Sequence, residues 1–304
     1  MQGKEIETGT YGVVLTPFDR EGHLNQTALR QELKYCTGTK AAGLLLCGST
    51  GEFVYMDQQQ HKEVLRIGME EAGRYKVLIG GASGATEHKV LGLLNYMEVL
   101  GYTYCIICPP YYYPQTPENV VSFYETISGQ APAGMKIFLY NIPFCSPEIP
   151  LKYMERLLRL PNVIGMKDSS GDMLYLSKVM GIVNEIRPDF MVFTGQDAVF
   201  LPSLTIGASG CMSALCWMLD EAAADIWQSY KKLDLKHATE IQLRIIQLVR
   251  HLDAVAFPEN YRILSEIVGI SAGKPQRSLH NMSEEFCSQW ISQAVELVWK
   301  LRMK

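Results

Sequence analysis

The chain has 304 residues, of which 47% are hydrophobic and 20% are charged, so it can bury a large core. Its 28 Lys and Arg residues against 32 Asp and Glu residues give a net charge of -4, which excludes the strongly basic surface typical of proteins that bind nucleic acid or anionic membranes. Because no apolar stretch approaches the roughly 20 residues of a membrane span, and residues 1–7 contain no apolar targeting segment, we expect a cytoplasmic protein without nucleic-acid or membrane partners.

Short β-rich runs alternate with helical stretches from residue 11 to about residue 213. The predicted strands are Gly12–Thr16, Gly43–Cys47, Val77–Gly80, Tyr104–Cys108, Lys136–Tyr140, Val163–Lys167, Met191–Thr194 and Gly210–Ser213. The predicted helices between them include Gln26–Cys36, Gln58–Ala72, Glu87–Leu100, Pro117–Ile127, Leu151–Leu160 and Met173–Glu185. Asp57 with Gln60 is typical of a capping box, and Thr116 followed by Pro117 is a good helix start.

Eight apolar strands separated by helices favour a parallel sheet that is covered on both faces. Such a set most simply closes into a (β/α)₈ barrel, the α/β fold that we predict. A doubly wound open sheet is the alternative, although no glycine-rich phosphate loop follows the first strand. Only helical patterns remain after residue 217, at Asp220–Lys232, Ala238–Leu252, Glu259–Val268 and Glu284–Arg302. We therefore expect a barrel domain at residues 1–216 and a C-terminal helical extension at residues 217–304.

The eight cysteines do not form the dense pattern of a disulfide-stabilised secreted domain. Most of them lie in apolar runs and are expected to be small buried side chains. Cys105 and Cys108 have a CxxC spacing, but strand alternation sends their two sulfur atoms to opposite faces. Since no second pair or histidine cluster accompanies them, the sequence predicts no metal site.

Lys167 ends the predicted apolar strand 163–167 and is the most informative single residue. A lysine at this position either extends to water at the barrel rim or is an amine held inside a pocket. Strand alternation places Gly165 and Lys167 on one face, so the small glycine is expected to leave room beside the amine.

Several polar side chains follow the predicted strand ends, where the active sites of such barrels lie. Gly48, Ser49 and Thr50 come after the second strand, Tyr111 and Tyr112 after the fourth, and Tyr140 closes the fifth. Each of these has a structural alternative, because a Gly-Ser-Thr-Gly run can be an ordinary turn. Tyrosines equally serve as core or interface residues.

The combination nevertheless indicates one kind of chemistry. A free lysine has a pKa of about 10.4, and burial disfavours its charged form. A neutral amine can attack a ketone to give an iminium, which stabilises a carbanion on the neighbouring carbon. A tyrosine such as Tyr140 can transfer the protons. The amides and hydroxyls of Ser49 and Thr50, made accessible by Gly48, can bind the carboxylate of an α-keto acid.

Taken in order, the motifs resemble those of the dihydrodipicolinate synthase/N-acetylneuraminate lyase family of class I, pyruvate-binding aldolases. The resemblance covers nearly the whole chain and rests on GSTGE at 48–52, PYY at 110–112, YNIP at 140–143, IGMKDSSGD at 164–172 and GASG at 207–210. It implies that Lys167 forms the Schiff base, that Tyr140 transfers protons beside it, and that Ser49 and Thr50 bind the pyruvate carboxylate, with Ser49 also relaying protons. It further implies that Tyr112 reaches a neighbouring subunit's active site, and hence a homotetramer built as a dimer of dimers.

The residues expected to select the second substrate depart from the family pattern. Cys145 stands where dihydrodipicolinate synthases carry an arginine for the aldehyde carboxylate, and a thiol lacks that bidentate fork. Asp197 is present after the seventh strand, but Ala198 replaces the glutamate that sialic acid lyases place beside it. Asp197 could equally be a helix N-cap. Ser169 and Ser213 are candidates to bind a polyol tail.

These features favour a lyase that reversibly cleaves a 4-hydroxy-2-oxo acid to pyruvate and an aldehyde, with a 2-keto-3-deoxy sugar acid or a sialate-like acid as substrate. A dihydrodipicolinate synthase with unusual aldehyde recognition is the alternative, and a dehydratase of a deoxy-keto-glucarate would use the same iminium. A barrel that binds a keto acid as a sensor or scaffold is the non-enzymatic alternative. Because the lysine supplies the electron sink, we expect no organic cofactor and no metal.

Overall fold

A closed barrel of eight parallel strands forms the body of the protein, in a computed structural model that describes residues 4–275 and 283–302. Each strand pairs with the next one in the chain, and the eighth pairs with the first. The strands are β1 (Gly9–Val13), β2 (Gly43–Leu46), β3 (Val77–Gly81), β4 (Tyr104–Ile107), β5 (Lys136–Asn141), β6 (Val163–Asp168), β7 (Met191–Thr194) and β8 (Gly210–Ser213). The predicted (β/α)₈ barrel is confirmed, and the open-sheet alternative is wrong.

One α-helix lies in each connection between successive strands. These helices are α1 (Gln26–Thr37), α2 (Gln58–Ala72), α3 (Glu87–Leu100), α4 (Pro117–Gln130), α5 (Met154–Leu158), α6 (Met173–Ile186) and α7 (Phe200–Thr205). After β8 follow α8 (Leu215–Met218), α9 (Asp220–Lys231), α10 (Leu235–Leu252), α11 (Glu259–Ile267) and α12 (Glu284–Arg302). The predicted boundary at residue 217 lies within α8, and the division into barrel and extension stays a prediction. None of the described helices has the length and hydropathy that a membrane span requires.

The helix starts follow the local sequence closely. Asp57 accepts a hydrogen bond from the Gln60 amide, and the Gln60 side chain accepts one from the Asp57 amide, so the predicted capping box is confirmed. Thr116 accepts from the Asn119 amide at the start of α4, with proline at the first helical position. These bonds satisfy amide groups that have no partner within the helix.

Two predicted elements differ from the structure by more than a helix end. The first strand was expected at Gly12–Thr16, but β1 spans Gly9–Val13. The apolar run continues beyond the ladder, and the amide of Leu15 donates to the Glu32 carboxylate instead of to a strand. The predicted helix Leu151–Leu160 is divided into a 3₁₀ turn at Leu151–Tyr153 and the short helix α5. In the first place Val14 and Leu15 are buried although they follow the observed strand.

Large aromatic side chains and facing glycines fill the barrel interior. Tyr11 packs edge-on against Phe193 with ring centres 5.4 Å apart, and Phe138 packs against the same ring at 6.0 Å. A Cβ at Gly43 would come within 2.5 Å of the Tyr11 ring, and one at Gly165 within 2.3 Å of the Phe138 ring. The space beside Gly165 is therefore filled by Phe138, which corrects the expectation that it stays open for the amine. Tightly packed rings form the floor of the barrel.

Candidate active site

Lys167 and Tyr140 lie side by side where β6 and β5 end. They are register partners on the two strands, and each is 3% exposed. Lys167 Nζ lies 3.4 Å from Tyr140 Oη and 4.6 Å from the centre of its ring. Ser49 Oγ lies 3.1 Å from the same Tyr140 Oη. The structure thus brings three predicted residues into one line of hydrogen-bonding groups, along which a proton can move between the amine and the serine.

The turn after β2 carries Ser49 and Thr50 to this place. It is closed by two backbone hydrogen bonds, from the Gly51 amide to the Gly48 carbonyl at 3.1 Å and from the Glu52 amide to the Ser49 carbonyl at 3.0 Å. Thr50 is 7% exposed. A Cβ at Gly48 would come within 2.7 Å of a leucine methyl of β2, so this glycine is required by packing beneath the turn. Its predicted role in binding substrate stays a prediction.

Two buried polar residues fix the ends of β5 and β6. Asn141 Nδ2 donates to Asp168 Oδ1 at 2.7 Å, and the Ser170 hydroxyl donates to Asp168 Oδ2 at 2.8 Å. Burial raises the pKa of the Asp168 carboxyl, while the hydrogen bonds from Asn141 and Ser170 oppose that rise. Because Asn141 follows Tyr140 and Asp168 follows Lys167, this pair sets the relative position of the phenol and the amine.

Gly195, directly after β7, allows Lys167 and Ser169 to approach the backbone. A Cβ at Gly195 would lie 2.5 Å from Lys167 Cε and 2.0 Å from Ser169 Oγ, so any side chain there would force both of these side chains to shift. Ser169 is 4% exposed, and its hydroxyl has no hydrogen-bond partner among the residues that the structure describes. A buried hydroxyl of this kind is suited to a ligand beside the amine.

Asp197 and Ser213 lie together beyond Gly195. The Ser213 hydroxyl donates to Asp197 Oδ1, so the carboxylate does not act as the helix N-cap that the sequence allowed. Burial raises the pKa of Asp197 to about 6, against the lowering effects of the Ser213 hydrogen bond and the nearby Lys167 charge. Gln242 of α10 donates to the backbone carbonyl of Asp197 at 2.9 Å, which holds this segment against the barrel.

One group of potential metal ligands occurs in the described part of the chain, formed by Asp197, Cys211 and Cys216. Burial raises the pKa of the Cys211 thiol well above its ordinary value, and a protonated thiol is a poor metal ligand. The Ser213 hydroxyl also contacts the Cys216 sulfur at 3.3 Å. The Ser213 hydroxyl thus links the Asp197 carboxylate to the Cys216 sulfur.

Cys145 lies in the exposed loop after β5, at the mouth of the site. It lines a cavity of about 140 Å³ together with Ser49, Phe53, Tyr111 and Phe257. Burial raises the pKa of the Cys145 thiol, so the thiol is uncharged at neutral pH. The wall of this cavity is mainly apolar and aromatic, and Cys145 supplies no cation to it.

Tyr112 does not join the cluster around Lys167 in its own chain. Its side chain is 86% exposed and packs edge-on against Tyr113 with ring centres 4.9 Å apart. Its φ of 83° lies in the left-handed region, which is uncommon for a tyrosine. The structure therefore turns this predicted site residue outward, away from Tyr140.

Sequence reasoning missed Asn141, Asp168 and Gly195 as site residues. The first two stand inside the motifs YNIP and KDSSGD, next to Tyr140 and Lys167. The sequence does not show that the Asn141 and Asp168 side chains form a hydrogen bond with each other. Gly195 has no comparable signal, because its importance depends on side chains from β6 that meet it only in the fold.

Comparison with known proteins agrees with this geometry. The chain matches the model of the dihydrodipicolinate synthetase family over residues 7–294. It is 27% identical over 278 residues to a 4-hydroxy-tetrahydrodipicolinate synthase of Methanococcoides burtonii, covering 91% of this chain and 94% of that protein. It is 29% identical over 265 residues to an uncharacterized DapA-like lyase of Thermofilum pendens, covering 85% of this chain and 87% of that protein.

Solved structures share the fold. The 4-hydroxy-tetrahydrodipicolinate synthase of Methylacidiphilum fumariolicum SolV superposes with a TM-score of 0.88 at 21% identity, covering 98% of this chain and 97% of that one. A catalytic lysine mutant of the sialic acid aldolase of Ruminococcus gnavus superposes with a TM-score of 0.88 at 20% identity, covering 97% of this chain and 96% of that one. The resemblance inferred from the motifs is thus confirmed: the chain belongs to the dihydrodipicolinate synthetase family and is a lyase of the class I aldolase type.

Proposed function

We propose that the protein reversibly cleaves a 4-hydroxy-2-oxo acid to pyruvate and an aldehyde through a Schiff base on Lys167. The observation that carries this proposal is the line from Lys167 Nζ to Tyr140 Oη to Ser49 Oγ, with steps of 3.4 Å and 3.1 Å inside the barrel. A nucleophile and a proton-transfer group within reach of each other are what iminium chemistry requires.

In this mechanism the neutral amine of Lys167 attacks the C2 carbonyl, and water leaves to give the iminium. The proton of the 4-hydroxyl passes to the Tyr140 oxygen, whose own proton moves to Ser49 and outward. The C3–C4 bond breaks, the aldehyde leaves, and the electron pair enters the enamine on Lys167. A proton returned to C3 and hydrolysis of the iminium release pyruvate and restore the amine.

The turn after β2 is the proposed site of the pyruvate carboxylate. Ser49 and Thr50 offer two hydroxyls and their amides, and the carboxylate accepts such bonds strongly in a buried site. Since Ser49 also contacts Tyr140, the carboxylate position and the proton path share one residue.

Tyr112 is proposed to serve the active site of a neighbouring copy, in a homotetramer. Three exposed aromatic side chains support this proposal, Tyr112 at 86%, Tyr113 at 72% and Phe144 at 60%. They border one surface groove of about 630 Å³, which also includes Cys145 at the mouth of the site. Large exposed aromatic surface of this kind is typical of subunit contacts. We also propose a cytoplasmic location, which the eight free cysteines support.

For the aldehyde half, Asp197, Ser213 and Ser169 are proposed to bind hydroxyl groups of a 2-keto-3-deoxy sugar acid or related acid. Ser169 is the strongest of these, because its buried hydroxyl faces Lys167 without a described partner. Asp197 and Ser213 are bonded to each other and would exchange that bond for the ligand.

Synthase activity, which the name of the Methanococcoides burtonii relative states, is the second candidate. It requires a group that binds the carboxylate of the aldehyde substrate. Cys145, the residue in the arginine's place, is an uncharged thiol that cannot supply the fork of an arginine. This difference ranks the synthase below the lyase.

Borohydride trapping with pyruvate tests the proposal. Intact mass and peptide mapping should show one reduced pyruvate adduct on Lys167 that is absent from Lys167→Ala. Lys178→Ala, which removes an exposed lysine of α6, is the matched control and should trap normally. An adduct that persists in Lys167→Ala, or no adduct in the wild type, contradicts the proposal. Turnover with a panel of hydroxylated, apolar and anionic aldehydes then separates lyase from synthase.

A further inference from the structure

Arg262 of α11 joins the helical extension to the turn that carries Ser49. It is 210 residues from Glu52 in sequence, yet both residues are 3% exposed and their side chains form an ion pair. Arg262 Nε donates to Glu52 Oε2 at 2.8 Å, and Nη2 donates to the same oxygen. The guanidinium also donates to the carbonyls of Thr16, at 2.6 Å, and Ala272.

Glu52 needs such an anchor because of its backbone. Its φ of 55° is in the left-handed region, which a residue other than glycine keeps only where the surroundings hold it. Its amide closes the turn on the Ser49 carbonyl, and its carbonyl accepts from the Tyr55 amide. A change in the position of the Glu52 side chain is therefore transmitted directly to Ser49.

The second contact of Arg262 supports the opposite side of the same turn. A Cβ at Gly51 would lie 3.1 Å from Thr16 Oγ1, so the segment after β1 packs directly against the turn. Arg262 holds that segment through the Thr16 carbonyl and through its position 5.7 Å from the centre of the Phe18 ring. One guanidinium thus fixes both segments between which Ser49 and Thr50 are presented.

We propose that Arg262 is a positioning residue for the pyruvate carboxylate, acting through Glu52 and Thr16 on the turn that binds it. The inference rests on the proposed function, since it assigns the turn to the carboxylate. Arg262 contacts no reacting atom, and its loss changes how well the keto acid is bound rather than the chemistry at Lys167. The extension thereby contributes to the site of the barrel.

The test must separate positioning from stability, because removing one partner of a buried ion pair destabilises a fold in any case. The variants are Arg262→Lys, which keeps the charge but not the fork, Arg262→Met, and Glu52→Gln, which keeps an acceptor for Arg262. Arg187→Met is the matched control. Arg187 donates to the carbonyls of Leu158, Leu160 and Val163 at the opposite end of β6.

The measurement is the rate of borohydride trapping against pyruvate concentration, at a temperature where each variant is folded by circular dichroism. Arg262→Lys and Glu52→Gln should raise the half-saturating pyruvate concentration about tenfold, which is about 1.4 kcal/mol of binding. The trapping rate at saturation should change less than about threefold. Trapping of acetone, which has no carboxylate, should be equal in the wild type and both variants. Arg187→Met should lower the melting temperature and leave the pyruvate dependence unchanged.

An unchanged half-saturating concentration in Arg262→Lys and Glu52→Gln overturns the inference while wild-type trapping on Lys167 keeps the proposed function. An equal loss with acetone, or an equal shift in Arg187→Met, shows that Arg262 has only a general structural role. If Arg262→Met does not fold, the other two variants decide the result. If pyruvate is not trapped on the wild type, the proposed function is wrong, and the role of Arg262 that rests on it is wrong as well.

Discussion

The two sides of Lys167 are built differently. On the Tyr140 side, hydrogen-bonding groups succeed one another at 3.4 Å and 3.1 Å, and a turn closed by backbone bonds presents Ser49. On the Gly195 side, Asp197 bonds to Ser213 and Ser169 has a buried hydroxyl without a described partner. On the first side the hydroxyls of Tyr140 and Ser49 engage each other, whereas on the second side the Ser169 hydroxyl has no partner among the described residues.

This difference matches what the two halves of the proposed substrate would require. Every 4-hydroxy-2-oxo acid presents the same keto acid, so a rigid arrangement serves that half for all of them. The aldehyde half varies among such substrates, and the proposed residues for it include Ser169 and Asp197, which follow the ends of β6 and β7. Loops tolerate change more readily than strand ends do. Substitutions on one side should therefore leave the other side intact.

The largest effect is expected on the Tyr140 side. Tyr140→Phe keeps the ring against Lys167 but removes the hydroxyl, and should lower kcat for cleavage about 10²- to 10⁴-fold, the usual contribution of a proton-transfer group. Because the amine remains, pyruvate should still be trapped on Lys167. Tyr102→Phe is the control, since the buried Tyr102 hydroxyl donates to the Leu65 carbonyl of α2 at 2.8 Å. Equal rates for Tyr140→Phe and the wild type would remove the phenol from the mechanism.

A smaller effect is expected at the boundary between the two sides. Gly195→Ala places a Cβ against Lys167 Cε and Ser169 Oγ, so both side chains must shift. We expect kcat to fall about 10- to 100-fold, because an error of about 1 Å in a catalytic group has an effect of that order. Gly181→Ala in α6, where no atom lies within 4 Å of the new Cβ, is the matched control and should keep full activity. Unchanged kinetics in Gly195→Ala would show that this approach is not needed.

The residues whose positions the sequence predicted well are those that a local pattern places. Lys167 and Tyr140 stand at strand ends, and strand order alone brings such ends together in a barrel. The same reasoning placed the ends of β2 to β8 within one residue of their observed positions. It failed for β1, because Val14 and Leu15 are as buried as strand residues although they follow the ladder.

The contacts that the sequence did not predict are made between distant segments. The Arg262–Glu52 pair joins positions 210 residues apart, and no periodicity relates them. Gly195 matters because of Ser169 and Lys167, which approach it only after β6 and β7 pair. Hydrophobic patterns record which residues are buried. They do not record which buried polar groups meet.

The last comparison concerns a buried carboxyl beside each side of the site. Burial raises the pKa of Glu32, under the segment after β1, to about 8 and that of Asp197 to about 6. The folded protein therefore binds protons at a pH where the unfolded chain has lost them, at its ordinary carboxyl pKa of about 4. Stability should fall as the pH rises from about 4, ending near pH 6 for the Asp197 contribution and near pH 8 for that of Glu32.

Amide variants separate the two contributions in melting temperatures measured from pH 4 to pH 9. Asp197→Asn should flatten the pH dependence only below about pH 6, whereas Glu32→Gln should flatten it up to about pH 8. The Glu32 amide can still accept from the Leu15 amide through its Oε1. Glu21→Gln, at an exposed glutamate, is the control and should leave the profile unchanged. If Glu32→Gln keeps the wild-type slope between pH 6 and pH 8, Glu32 is ionised in the folded protein. The Glu32 carboxylate would then be a buried charge under the segment after β1. Arg262 would stabilise this charge in addition to the carboxylate of Glu52.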